Sequence, residues 1–125
     1  MHLAWWQERS QDSVLASSLN QDFFRLSISD AAGAGFVELS CRYHHDEIVS
    51  AFVIFRHGRV RYFYQSALNP DFATIAPGVG HMADELTRAI VDGAVTFDLL
   101  RGEESYKRRW ATSAGRTWRA KGSLR

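Results

Sequence analysis

The 125-residue chain has one cysteine, two prolines, no long apolar run and almost no net charge, formally +1. Each scarcity excludes something. A lone Cys41 forms no internal disulfide and brings no second thiol to a metal site. In its alternating surroundings it reads as a small buried hydrophobe. The longest apolar run, Ala51–Phe55, falls far short of the roughly 20 residues that cross a bilayer. Met1–Arg9 lacks a basic start followed by an apolar core, so no signal peptide is read there. A cytoplasmic location with no membrane partner is the expectation. A charge this small argues by itself for neither nucleic acid nor a lipid surface.

What is present suits a folded domain. The chain is 46% apolar and 13% aromatic, which excludes disordered, collagen-like and coiled-coil classes. Its length suits a single domain over 1–125, ending in a basic tail over 112–125. The small net charge also hides a split. Residues 1–100 hold seven Lys/Arg against twelve Asp/Glu, a net −5, and residues 101–125 hold eight against two, a net +6. A cationic segment on a mildly acidic body suggests an anionic partner.

The pattern predicts an α/β fold. Residues 5–19 are weakly helical, and a stronger helix starts at Asn20 as its cap, with Phe24, Ile28, Ala31 and Ala32 at helical spacing and Gly33 or Gly35 as its stop. Phe36–Tyr43 reads as a half-exposed strand, with Val37, Leu39, Cys41 and Tyr43 on one face and Glu38, Ser40 and Arg42 on the other. His44–Glu47 is a polar turn. Ile48–Phe55 is apolar on both faces, as in a covered strand. A tight turn at His57-Gly58 leads to Arg59–Leu68, with Val60, Tyr62, Tyr64 and Ser66 on one face. After a loop over Asn69–Pro77, a helix from about Gly80 to Asp92 carries Met82, Leu86, Ala89 and Ile90, and Gly93 ends it. Val95–Leu99 then forms a strand parallel to Arg59–Leu68. Glu103–Trp110 suits a short helix, and Thr117–Ala120 a last strand. The architecture is an antiparallel meander feeding one parallel β-α-β crossover.

Two segments offer chemistry. Pro77-Gly78-Val79-Gly80 opens a helix after a strand and loop. Free amides and the helix dipole at such an end hold phosphate oxygens, and the same residues also serve as a plain loop exit. Phe97-Asp98-Leu99-Leu100-Arg101-Gly102-Glu103-Glu104-Ser105-Tyr106-Lys107-Arg108-Arg109-Trp110 leaves the carboxyl end of a parallel strand, where ligands gather in open α/β sheets. There Tyr106 can donate a proton and Lys107 can offset negative charge on an oxygen. The alternative is a solvated charged helix anchored by Tyr106 and Trp110, with Glu103 and Lys107 as an i,i+4 pair. The adjacent His44 and His45 face opposite ways. His2, His57 and His81 are read as having no carboxylate or thiol at ligand spacing, so no metal site is expected. No nucleophile elbow, P-loop lysine or Cys–His signature appears. Trp5 and Trp6 read as packing residues.

The second segment resembles the C-terminal signature of the CelD/BcsL-type acetyltransferases, in the FemAB-like branch of the GNAT superfamily. Tyr62-Phe63-Tyr64-Gln65-Ser66, Asn69-Pro70-Asp71-Phe72 and Pro77-Gly78 resemble that family's preceding strand, loop and helix start. The similarity runs over about residues 20–112. It implies a GNAT-like mixed sheet in which Arg59–Leu68 and Val95–Leu99 splay to admit the pantetheine arm of an acyl carrier. It implies a donor site at Gly78, Val79 and Gly80, with Tyr64, Gln65 and Arg101 beside it. Ile75-Ala76-Pro77-Gly78-Val79-Gly80 keeps both glycines of the superfamily's pyrophosphate loop but has Ile75 at the place of its basic or amide residue. Tyr106-Lys107 occupies the place of an aromatic–Lys pair associated with acyl transfer, and Tyr106, Lys107 and Glu103 are the catalytic candidates.

The implied function is an acyltransferase moving an acyl group from acetyl-CoA or a related acyl-CoA to an amine or hydroxyl on a small molecule, sugar or peptide, with no tightly bound cofactor. Members of the family usually carry two GNAT-like halves, and this chain resembles the second. It is thus expected to pair with an N-terminal half or a second copy, or to have lost activity. A non-catalytic binding or regulatory module on a degenerate GNAT fold is the alternative. A nucleic-acid binder using the +6 segment ranks last, because Trp110 and Trp118 read as packing residues.

Overall fold

A computed structural model describes residues 17–122. Its elements, in chain order, are α1 (Ser18–Gly33), β1 (Val37–His44), β2 (Glu47–His57), β3 (Val60–Leu68), a 3-10 turn (Pro70–Ile75), α2 (Pro77–Val91), β4 (Thr96–Asp98) and α3 (Ser105–Trp110). The strands form one sheet in the order β1-β2-β3-β4. The first three pair antiparallel and β3 pairs parallel with β4. This is the α/β meander with a parallel crossover that the sequence predicts.

Local chemistry explains most boundaries. Ser17, not Asn20, caps α1: its hydroxyl accepts from the Asn20 amide at 3.2 Å, as a short β-conformation serine does at a helix start. The predicted weak helix over 5–19 lies mostly outside the described residues. Between β1 and β2 the turn is His45-Asp46, and between β2 and β3 it is Gly58-Arg59. Helix α2 begins at Pro77, earlier than expected, because proline suits a first position whose N–H has no partner. It ends at Gly93, whose φ of +75° lets its amide reach Ile90 O (3.0 Å) and the Ala94 amide reach Ala89 O (2.9 Å). Thr117–Ala120, read as a strand, pairs with nothing and is exposed; Trp118 is 87% exposed, so its reading as a packing residue is also corrected.

The core lies between the sheet and α2. Phe52, Ile54, Phe63 and Met82 form its centre, with Leu68, Leu86, Phe97, Leu99 and Trp110 packed around them. Ile90, expected on the α2 stripe, is exposed. Strand β1 departs from its predicted faces over most of its length. On its polar side Ser40 is buried under α2, while of the apolar side Val37 is buried and Leu39 and Tyr43 are exposed. Cys41, on that side, is half-buried.

A bulge changes β3 as well. Val53 pairs with Gln65 and the next residue, Ile54, pairs with Phe63, so Tyr64 is the extra residue. Past it the alternation reverses. Tyr62, Tyr64 and Gln65 share the α1 side, while Ser66, opposite Phe52, moves to the α2 side instead of joining Tyr62 and Tyr64 as predicted.

Candidate active site

In a parallel β-α-β unit the carboxyl ends of both strands and the start of the connecting helix lie at one end of the sheet. That end here collects β3 from Tyr64 to Leu68, the start of α2, and the chain leaving β4. Parallel pairing covers only Val60–Tyr62 and Thr96–Asp98. Beyond it the ladder between the two chains ends. The β3 bulge at Tyr64 bends that strand just past the last paired residue, and no described strand pairs with its outer edge downstream. After Asp98 the other chain turns away, its Leu100 amide donating to Asp98 Oδ1 at 2.7 Å and Leu100 itself left-handed at φ +58°.

The start of α2 carries no side-chain cap. Ala76, its N-cap, is left-handed (φ 46°, ψ 56°), and Pro77 has no N–H. The Val79 amide makes a short-range bond to Ala76 O at 3.0 Å. Gly78 packs on Leu68. A cavity of about 210 Å³ opens beside this turn, lined by Arg42, Tyr43, His44, Val49, Ile75, Ala76, Pro77 and Gly80. Ile75 supplies no charge there. Arg42, from β1, does: its guanidinium lies against Gly80, where an added Cβ would overlap Nη1. The same nitrogen is 3.1 Å from Asp84 Oδ2, yet it is buried and makes no aligned hydrogen bond.

Of the β3 candidates, Tyr64 stacks on Phe24 of α1, centroids 5.9 Å apart, and meets Phe55 edge-on at 5.1 Å. Gln65 follows it, half-buried, on the same face. The bulge thus directs two successive side chains to one side just past the end of the β3–β4 ladder.

The segment after β4 gathers the other candidates. Lys107 is buried, and its ammonium donates to Arg101 O at 2.7 Å and pairs with Glu104 Oε2 at 2.9 Å. The expected Glu103–Lys107 pair is replaced by this i,i+3 pair, and the Glu103 and Arg101 side chains are exposed. Burial opposes ionisation of Glu104, but the Lys107 hydrogen bond, a bond to Glu104's own backbone and the Lys107 charge outweigh it, holding its pKa below the usual carboxylate value. Burial, then the Glu104 charge, pushes the Tyr106 phenol up, which keeps it a proton donor. Among the described residues no hydrogen bond or ion pair links this group to Gly78–Gly80; they share one end of the sheet.

Sequence reasoning missed a buried polar cluster beneath the start of α2. Ser40 Oγ donates to Glu85 Oε1 at 2.5 Å and lies 2.8 Å from His81 Nε2, while Ser50 Oγ lies 2.7 Å from His81 Nδ1. A carboxylate only accepts, so the Ser40 proton goes to Glu85, Nε2–H donates to Ser40, and the Ser50 hydroxyl donates to Nδ1. The imidazole is neutral. Burial, then the Arg42 charge, against a smaller opposing effect of Asp84, depresses its pKa to about 4. Glu85 also pairs with Arg88 at 3.3 Å. Glu85 is thus a carboxylate one turn beyond His81, 3.8 Å away, contrary to the expectation that His81 has none. The i,i+4 spacing was the available signal; the two serines, on other elements, gave none.

The family model described as an acetyltransferase (GNAT) domain matches residues 1–108. The chain belongs to the GNAT acetyltransferase family. Acyl transfer is the chemistry of that family in general, with an acyl-CoA as co-substrate and no tightly bound cofactor. No curated protein and no solved structure matches the chain. Among the described residues no helix is long and apolar enough to cross a membrane.

Proposed function

We propose that this chain is an acyl-CoA-dependent acyltransferase of the CelD/BcsL, FemAB-like kind, acting on an amine or hydroxyl of a small-molecule, sugar or peptide acceptor. The observation that carries the reading is that β3–β4 pairing stops at Tyr62 and Asp98, just before β3 bulges, next to an uncapped helix start with Gly78 and Gly80. A thioester arm would run along β3 where its pairing with β4 has ended, with its diphosphate on the amides of the first α2 turn, where the dipole favours anions. The acetyl group is the simplest acyl group for this donor.

The acceptor nitrogen or oxygen attacks the thioester carbonyl, and backbone amides of β3 stabilise the oxyanion. The carbon–sulfur bond then breaks. Tyr106, held protonated, gives its proton to the leaving thiolate, and the exposed carboxylate of Glu103 takes the proton lost by the acceptor. Lys107 uses two of its three N–H groups on Arg101 O and Glu104, which fixes the turn carrying Arg101 and leaves the third for a substrate oxygen. Calorimetry with acetyl-CoA tests the donor: binding below millimolar concentration is expected, and no binding at millimolar donor overturns the assignment.

A further inference from the structure

We infer that Arg42 is the cation that holds the donor's diphosphate, replacing the charge that the helix-opening loop lacks at Ile75; this rests on the acyl-CoA reading above. Three observations converge on that residue. Its guanidinium lies against Gly80, in the only turn of α2 that offers open amides, and it lines the same cavity as Ile75, Ala76 and Pro77. Its side chain is 42% exposed where it lines the cavity, so its charge is open to an anionic acceptor there, while its Nη1 lies in ion-pair range of Asp84 without an aligned hydrogen bond. Its one ion-pair partner, Asp84, is itself largely exposed, so the pair is weak and readily exchanged.

The arrangement also explains Gly80. Any side chain there displaces the guanidinium, because the added Cβ would overlap it. Glycine at this helical position lowers intrinsic helix stability relative to alanine, and the close approach of Arg42 is what the glycine permits. Asp84 acts as a placeholder. It orients Arg42 while the cavity is empty and gives way to the two phosphate groups, which offer a fork-shaped donor better geometry.

The test uses the full chain and compares acetyl-CoA with an acetyl-pantetheine thioester that has no diphosphate. Replacing Arg42→Gln should weaken acetyl-CoA binding about tenfold or more and flatten its salt dependence. The loss should be confined to the donor that carries the diphosphate, with acetyl-pantetheine weakened far less. Arg42→Lys should recover part of the loss. Gly80→Ala, which keeps the helix and moves only the flexible end of Arg42, should show the same selective loss. Asp84→Asn should tighten acetyl-CoA binding by removing the competitor. Wild-type-like acetyl-CoA affinity in both Arg42→Gln and Gly80→Ala overturns the inference while the acyl-CoA reading stands. A wild-type chain that binds no acyl-CoA overturns both. Equal losses for acetyl-CoA and acetyl-pantetheine assign Arg42 to the architecture alone and overturn the inference. Should Arg42→Gln fail to fold, Gly80→Ala and Asp84→Asn decide it.

Discussion

The imidazole of His81 lies flat on the ring of Phe52, centroids 3.9 Å apart and planes 8° from parallel. The contact ties α2 to the central strand, and it requires an uncharged histidine because both rings are buried and two serines occupy the imidazole nitrogens. The folded-state pKa of about 4 lies below the ordinary 6.5, so the unfolded chain binds the proton more readily. Stability is therefore full above pH 6.5, falls as the pH drops from there toward 4, and levels off below. The loss from this group is on the order of 3 kcal/mol. Urea unfolding across pH 4 to 7 should show that slope, and His81→Gln should flatten it.

Lys107 is first a structural residue. Removing its ammonium leaves Arg101 O without its donor and Glu104 without its cation. Lys107→Met keeps the buried stem and should still lower stability by about 1–2 kcal/mol. Denaturant midpoints measure it; an unchanged midpoint would show that the two contacts contribute nothing.

Tyr106 separates chemistry from architecture. Tyr106→Phe removes one hydroxyl from a side chain that is 41% exposed, so the melting temperature should hardly move. If its proton goes to the leaving thiolate, kcat should fall about 100-fold with donor affinity intact. Any decline of the wild-type rate from phenol ionisation should set in at higher pH than for an ordinary phenol, because burial and Glu104 raise its pKa above 10.0.

At the far end of α2, Gly93→Ala forces a side chain into a left-handed backbone. A Cβ there meets nothing within 4 Å, so the cost is conformational, about 1 kcal/mol. Calorimetric melting of the variant against wild type reads it directly.

The meander, the crossover and the glycine-opened helix were legible in the sequence because each is written in neighbouring residues. Alternation marks β2, helical spacing marks α2, and Gly58 and Gly93 mark a turn and a helix end. The faces of β1 were not legible. Counting apolar residues puts Leu39 and Tyr43 inside, yet the buried side is chosen by what α2 offers, and His81 and Glu85 offer hydrogen bonds to Ser40. The bulge at Tyr64 was equally hidden, since one inserted residue leaves the strand's composition unchanged while moving Ser66 to the other face. The glycine turn of the candidate site was visible, but its cation was not. Arg42 and Gly80 lie on different elements and meet only in the fold, as do Ser50 and His81. Such pairings are set by register and by the crossover.

The shortness of β4 sets an uneven rigidity around the cleft. Three residues pair with β3 there, whereas β3 is locked to β2 along eight paired positions. One bank of the cleft is thus firm and the other is free to breathe. Backbone amides of Thr96–Asp98 should trade their hydrogens with solvent long before those of β2 do. A substrate that bridges the two banks should slow the exchange on the β4 side alone.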